Sequence, residues 1–146
     1  MGATKWSTVL GTAGLALAAV TVSATATAPA AAQDRASDAR LAQRVVLTNV
    51  DSGRAVAASA GDDVEVRLTG YREGGLTYTW SVPAADDSTV LRGTGGTTTP
   101  SGGASAVLHA DHSGVATVSA QRRCVPGPGR VCPQVITPWK VTVEVK

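Results

Sequence analysis

The side chains with the most chemistry to offer are two cysteines and two histidines. Cys124 and Cys132 are the only cysteines, inside "RRCVPGPGRVCP" (122–133), with seven residues between them. His109 and His112 stand close by in "HADH". The four suggest a zinc site on paper, but zinc ligands usually come as C-x2-4-C and H-x3-5-H pairs. Two histidines three apart at a strand end point to roughly opposite faces of an extended chain, so no metal is expected. A redox dithiol would want C-x-x-C at a helix N-terminus, and no helix is expected here. An even number of cysteines in an exported chain is expected to oxidise. A bond between Cys124 and Cys132 closes a nine-residue loop, which contributes about 2.5 kcal/mol on the chain-entropy view. Pro126, Gly127, Pro128 and Gly129 break helix and strand alike, so the bond would turn a floppy excursion into a rigid protrusion.

Other constellations are weaker. His109, Asp111 and one of many serines make a hydrolase trio only by abundance, because no G-x-S-x-G elbow accompanies them. The pairs Asp62-Asp63 and Asp86-Asp87 each sit where a turn enters a strand, and turn chemistry accounts for Asp there. "GTGGTTTPSGG" has the glycine of a phosphate cradle without its lysine or its strand-then-helix setting, and reads as a mobile exposed loop. Arg122, Arg123 and Arg130 form a basic cluster, either simply solvated or a contact surface for an acidic partner. No catalytic residue, metal or cofactor is expected, and the chain does not read as an enzyme.

These residues hang on short, alternating segments. "VEVRL" sets Val64, Val66 and Leu68 on one face. "TYTWSV" does so for Tyr78, Trp80 and Val82, "VATVSA" for Ala116, Val118 and Ala120, and "WKVTVEV" for Trp139, Val141, Val143 and Val145. Period two with β-branched and aromatic residues predicts half-buried strands. Weaker strands are expected at 45–50, 54–59, 88–92 and 104–110, with "DSG" as a hairpin turn between the first two. Seven or eight short strands at this spacing predict an all-β fold, an immunoglobulin-like β-sandwich. Without Phe, the large core fillers should be Trp80, Trp139 and Tyr78.

The N-terminus reads differently. Lys5 precedes an apolar run at 9–22 and small residues ending "AAA", the order of a secretory signal peptide, with cleavage placed after Ala32. The run is shorter than the roughly 20 residues of a bilayer-spanning helix, so no stable membrane insertion is expected after cleavage. The expected organisation is a signal peptide at 1–32, a flexible spacer at 33–43 and the sandwich at 44–146. Beyond residue 32 the formal charge is 12 minus 11, or +1, which calls for neither nucleic acid nor an anionic membrane. The expected product is a secreted, extracellular monomer. High Ala, Gly, Val and Arg with little Lys suggests a GC-rich bacterial source.

The order "VVLTNVDSGRAVAASAGDDVEVRL", "YTW", "GTGGT", "SGVATVSAQRR" and a closing "VTVEV" resembles the chagasin-type inhibitors of papain-like cysteine proteases over 44–146. The resemblance implies an immunoglobulin-like sandwich whose three loops at one end wedge into the protease cleft. On this chain the implied first loop is 73–77, with Gly74, Gly75, Leu76 and Thr77 leading into Tyr78. The second is the Gly-rich run with Gly93, Thr94, Gly95 and Gly96, and the third begins at Arg122 and Arg123. The family's Asn-Pro-Thr-Thr-Gly run is replaced here by "EGGLT", and no Trp follows the arginines. The implied partner is a papain-like cysteine protease or another extracellular protein. The alternative is an immunoglobulin-like structural or adhesion domain of the cell envelope that inhibits no protease.

Overall fold

In a computed structural model of the chain, the residues described are 40–146. The expected signal peptide and residues 33–39 of the expected spacer lie outside them. Residues Arg40–Lys146 form one compact unit.

Ten strands follow in order: β1 Arg44–Thr48, β2 Ala55–Ala58, β3 Asp63–Leu68, β4 Tyr71–Glu73, β5 Leu76–Trp80, β6 Ala84–Ala85, β7 Leu91–Thr98, β8 Ala104–Ala110, β9 Gly114–Pro126 and β10 Thr137–Val145. Seven correspond to the segments expected from sequence; β7 shares only Leu91 and Arg92 with the strand expected at 88–92, because residues 88–90 form a turn, and the short β4 and β6 are additional. They form two layers, a four-stranded sheet β1-β3-β8-β7 and a second sheet β2-β10-β9-β5-β4, in which β6 also pairs with β9. β1 with β3 and β2 with β10 are parallel, and every other pairing is antiparallel. The fold is an immunoglobulin-like β-sandwich.

Alternation decides the core. Val64, Val66 and Leu68 of β3, Ala116, Val118 and Ala120 of β9, and Trp139, Val141, Val143 and Val145 of β10 are all buried between the layers. Ala104, Ala106, Leu108 and Ala110 of β8 face them. Each large apolar side chain placed there contributes about 1.5–3 kcal/mol. The small alanines let the layers close around two tryptophans whose polar edges are satisfied. Trp139 Nε1 donates to the Thr48 carbonyl at 3.0 Å and Trp80 Nε1 to the Thr69 carbonyl at 3.1 Å.

Three expectations change. "DSG" does not make a hairpin, because β1 and β2 belong to different sheets. The Asp51 carboxylate accepts from the Thr48 backbone N–H at 2.8 Å, and this closes a turn of 3-10 helix, Asn49–Asp51, that carries the chain across the sandwich. Val82 does not share the inner face with Trp80, since β5 ends at Trp80 and Val82 is 42% exposed. Tyr78 is only half-buried rather than a core filler, for a reason that shapes the site below.

Residues 40–43, the end of the expected spacer, are tied to the sandwich. Buried Asp62 accepts from the backbone N–H groups of Gln43 at 2.9 Å and Ser59 at 2.8 Å, and pairs with Arg40. These bonds, that from Gln43 foremost, hold the Asp62 carboxyl below its usual pKa.

Candidate binding end of the sandwich

The second sheet outruns the first at one end. The β7–β8 turn reaches it at Trp80, whose N–H donates to the Gly102 carbonyl at 2.9 Å, while β5 and β9 continue in register from Trp80–Arg122 to Leu76–Pro126. Arg122 and Cys124 lie on the same side of β9 as buried Ala116, Val118 and Ala120, but here no facing sheet covers them. Arg122 and the tyrosines take over that cover. Tyr71 and Tyr78, paired across β4 and β5, stack with centroids 4.5 Å apart and planes 17° from parallel. The Arg122 guanidinium lies 5.3 Å from the Tyr71 ring and 5.6 Å from the rings of Tyr78 and Trp80, and donates to Thr137 Oγ1 at 3.2 Å. A cation over an aromatic face is stabilising by about 0.5–1 kcal/mol at such partly open sites. The expected cluster of arginines is thus divided: Arg122 lids the core, whereas Arg123, one residue on, points from the opposite face.

Two projections rise beyond this lid. Tyr71–Tyr78, Arg72–Thr77 and Glu73–Leu76 pair, leaving Gly74 and Gly75 as a two-residue turn with φ of 58° and 79°. Positive φ at both central residues is the type I′ pattern that hairpin twist favours and that glycine supplies without strain. The second projection is the stapled loop: Cys124 and Cys132 are bonded, with Cα atoms 5.8 Å apart. The two projections are locked together. The Gly127 N–H donates to the Gly75 carbonyl at 3.0 Å, and the Arg130 N–H back to the Gly127 carbonyl at 3.1 Å. A Cβ on Gly127 would lie 2.4 Å from the Gly75 oxygen, and one on Gly75 would lie 3.0 Å from Arg130 Nε. Only bare backbone permits so close a seam. Beside it, Arg123, Cys124, Pro133, Gln134, Val135 and Ile136 line an open cavity of about 590 Å³.

The Gly-rich run is placed otherwise than expected. Gly93, Thr94, Gly95 and Gly96 belong to β7, hydrogen-bonded to β8 with a bulge between Gly93 and Gly95, and are not a loop. At Gly93 and Gly95 an added Cβ would meet nothing within 4 Å, whereas at Gly96 it would lie 2.5 Å from Val82 Cγ1, so that glycine is required by packing. The run borders a groove on the flank of the sandwich with Val82, Pro83, Ala84 and Leu91. The turn that reaches the projecting end is 99–103, pinned by Thr99, whose N–H donates to the Gly103 carbonyl at 2.9 Å and whose hydroxyl accepts from the Gly103 N–H at 3.0 Å.

The histidines and carboxylates are engaged separately. His109 Nδ1 lies 2.8 Å from Asp63 Oδ1, across β8 and β3, and its Nε2 is 3.8 Å from Asp111. Asp111 in turn holds Arg92 at 2.7 Å, and that bond keeps its carboxyl below the usual range. His112 Nδ1 donates to the Thr89 carbonyl at 3.0 Å. Asp86 accepts from the Thr117 N–H at 2.8 Å, and Asp87 from the Thr89 hydroxyl at 2.6 Å and its N–H at 2.9 Å. Among the described residues, no three His, Cys, Asp or Glu side chains gather as a metal site would require. Sequence reasoning missed Asp63 as the partner of His109, which only strand register brings near, and missed β4. "EGGL" between "YR" and "TYTW" was a readable two-glycine hairpin signal.

No family model matches the chain, and no curated protein does. Solved structures do. The cysteine protease inhibitor EhICP2 from Entamoeba histolytica superposes with a TM-score of 0.52 at 12% identity, over 73% of this chain and 99% of that one. Amebosin gives a TM-score of 0.41 at 14% identity, over 73% and 100%. An inclusion body protein from Burkholderia cenocepacia gives 0.43 at 10% identity, over 70% and 77%. The sandwich of this chain therefore shares its fold with EhICP2.

Proposed function

We propose that this protein is an exported, non-catalytic inhibitor that occludes the cleft of a papain-like cysteine protease with the projecting end of its sandwich. The observation that carries the reading is the seam between Gly75 and Gly127, which binds two projections into one wedge on a fold shared with a cysteine protease inhibitor. The 99–103 turn lies at the same end and supplies a third contact element in place of the Gly-rich strand. Such a wedge works by occupancy. Its loops are ordered before binding by sheet pairing and the disulfide, so little conformational entropy is lost on association. A type I′ glycine turn and a disulfide-closed loop also present no extended segment for the protease to cleave. The disulfide fits an oxidising, extracellular setting, and no helix among the described residues is long and apolar enough to cross a membrane.

The test is a titration of active papain and related proteases with the purified protein. Nanomolar inhibition that competes with an active-site substrate is the expected outcome. No inhibition even at high micromolar concentration refutes the reading. It would favour an envelope domain that binds another target, for which the replacement of the Asn-Pro-Thr-Thr-Gly run by "EGGLT" already speaks.

A further inference from the structure

We infer that the cleft receiving this wedge is apolar at its floor and acidic at its rim; the inference rests on the protease-cleft reading and adds the chemistry of the partner. It comes from where the arginines find their counter-charges. Arg40, Arg44, Arg54, Arg67 and Arg92 each bond a carboxylate, of Asp62, Glu65, Asp51, Glu65 and Asp111 respectively. Arg72, Arg122, Arg123 and Arg130 bond none among the described residues, and all four lie on β4, β9 or the stapled loop. Arg122 is enclosed by its three rings, which leaves Arg72, Arg123 and Arg130 as exposed cations at one end. The chain carries no Asp or Glu between Asp111 and Glu144, so Glu73 is the one carboxylate of β4, β5, β9 and the loop. Uncompensated cations gathered on one end of a nearly neutral domain create a directed positive potential.

The apolar surface is gathered at the same place. Of the ten large hydrophobic residues that are exposed among those described, four lie within twelve residues here: Val125 at 49%, Val131 at 88%, Val135 at 66% and Ile136 at 57%. Val135 and Ile136 line the cavity beside Arg123, and Val125 shares its row of the sheet with Arg72 through Thr77. Aliphatic side chains held out on a disulfide-closed loop, as Val125 and Val131 are, and on the segment just beyond it, as Val135 and Ile136 are, mark a surface that is covered in use. Exposed aliphatic and cationic side chains gathered at one end together match an apolar trough flanked by carboxylates. The cations should act mainly on encounter, and the aliphatic side chains on residence.

The test compares two papain-like proteases, one with a net negative and one with a net positive cleft rim, by the kinetics of inhibition. Against the acidic-rim enzyme, Arg72→Glu with Arg123→Glu should lower the association rate about tenfold and leave dissociation nearly unchanged. The paired Lys variants should retain the rate. For the unmodified protein the rate should fall severalfold between about 20 and about 300 mM NaCl, as screening shortens the reach of the charges. The basic-rim enzyme should be inhibited less well, and the Glu variant should narrow the gap. Circular dichroism checks that each variant is folded, and the salt series on the unmodified protein does not depend on any variant. Inhibition that is indifferent to salt and to charge reversal overturns the acidic-rim inference while leaving the cleft reading in place. Failure of every form to inhibit either enzyme removes both.

Discussion

Replacing Gly127 by Ala places the new methyl 2.4 Å from the Gly75 carbonyl oxygen, where ordinary contact begins near 3.4 Å. The backbones must therefore part by about 1 Å. That stretches the 3.0 Å bond from the Gly127 N–H to the Gly75 carbonyl beyond useful range. The lost bond costs about 1 kcal/mol net. Residual crowding adds about as much, in the manner of small overpacking changes. Gly127 is not among the positive-φ glycines, so alanine returns about 0.5 kcal/mol by restricting the unfolded chain. The balance is a loss of about 1–2 kcal/mol. For the 107 residues of Arg40–Lys146, the usual unfolding entropy converts this to a Tm lowered by about 5–8 °C. Thermal unfolding by circular dichroism measures it, and amide exchange at Gly127 reports the seam directly. Gly129, with φ of 68° and no atom within 4 Å of an added Cβ, is the control: alanine there is strained in its backbone but does not touch the seam. A Gly127→Ala protein that melts within 1 °C of the parent with unchanged amide protection at position 127 would show that this contact does not join the two projections.

Two further outcomes follow from other bonds. Cys124→Ser with Cys132→Ser, or reduction of the bond, should cost about 2.5 kcal/mol and lower the Tm by about 10 °C while the β-sheet dichroism persists; two free thiols in protein recovered from an oxidising environment would contradict it. Asp62 has a folded pKa below its unfolded value, through the N–H groups of Gln43 and Ser59 and the charge of Arg40. Its contribution is therefore complete above pH 4 and lost as pH falls through the folded value. Asp62→Asn should destabilise at pH 7 and flatten stability against pH below 4, as read by denaturant unfolding at a series of pH values; an unchanged acid limb would show that Asp62 is not the group responsible.

The strands were legible wherever one side of a segment had to be buried. "VEVRL", "VATVSA" and "WKVTVEV" turn Val64 and Val66, Val118, and Val141, Val143 and Val145 inward and leave Val115 exposed, because a pleated strand turns every second side chain to the same face. The disulfide was legible too, since its case needed only two cysteines, an expected export signal and an intervening run that breaks other structure. The position of the Gly-rich run was not. Glycines 93, 95 and 96 look the same in a loop as in a one-sided edge strand, and the difference lies in pairing with β8. "DSG" likewise reads as a hairpin until its flanking segments pair elsewhere, β1 with β3 and β2 with β10.

From sequence alone came the layered all-β fold, the identity of most of the core and the staple, because period-two burial, turn residues and cysteine count are local properties. The roles of Tyr78 and Arg122 were decided only in three dimensions. Both have the parity of core residues, yet the layer facing them stops short, so stacked rings and a guanidinium close the end that hydrophobic packing leaves open. The contact between Gly75 and Gly127, fifty-two positions apart in the chain, was decided there as well. It exists because β5 and β9 are neighbours that overrun the opposite sheet together, and the relative lengths of two sheets are a property of the whole sandwich that no single segment encodes.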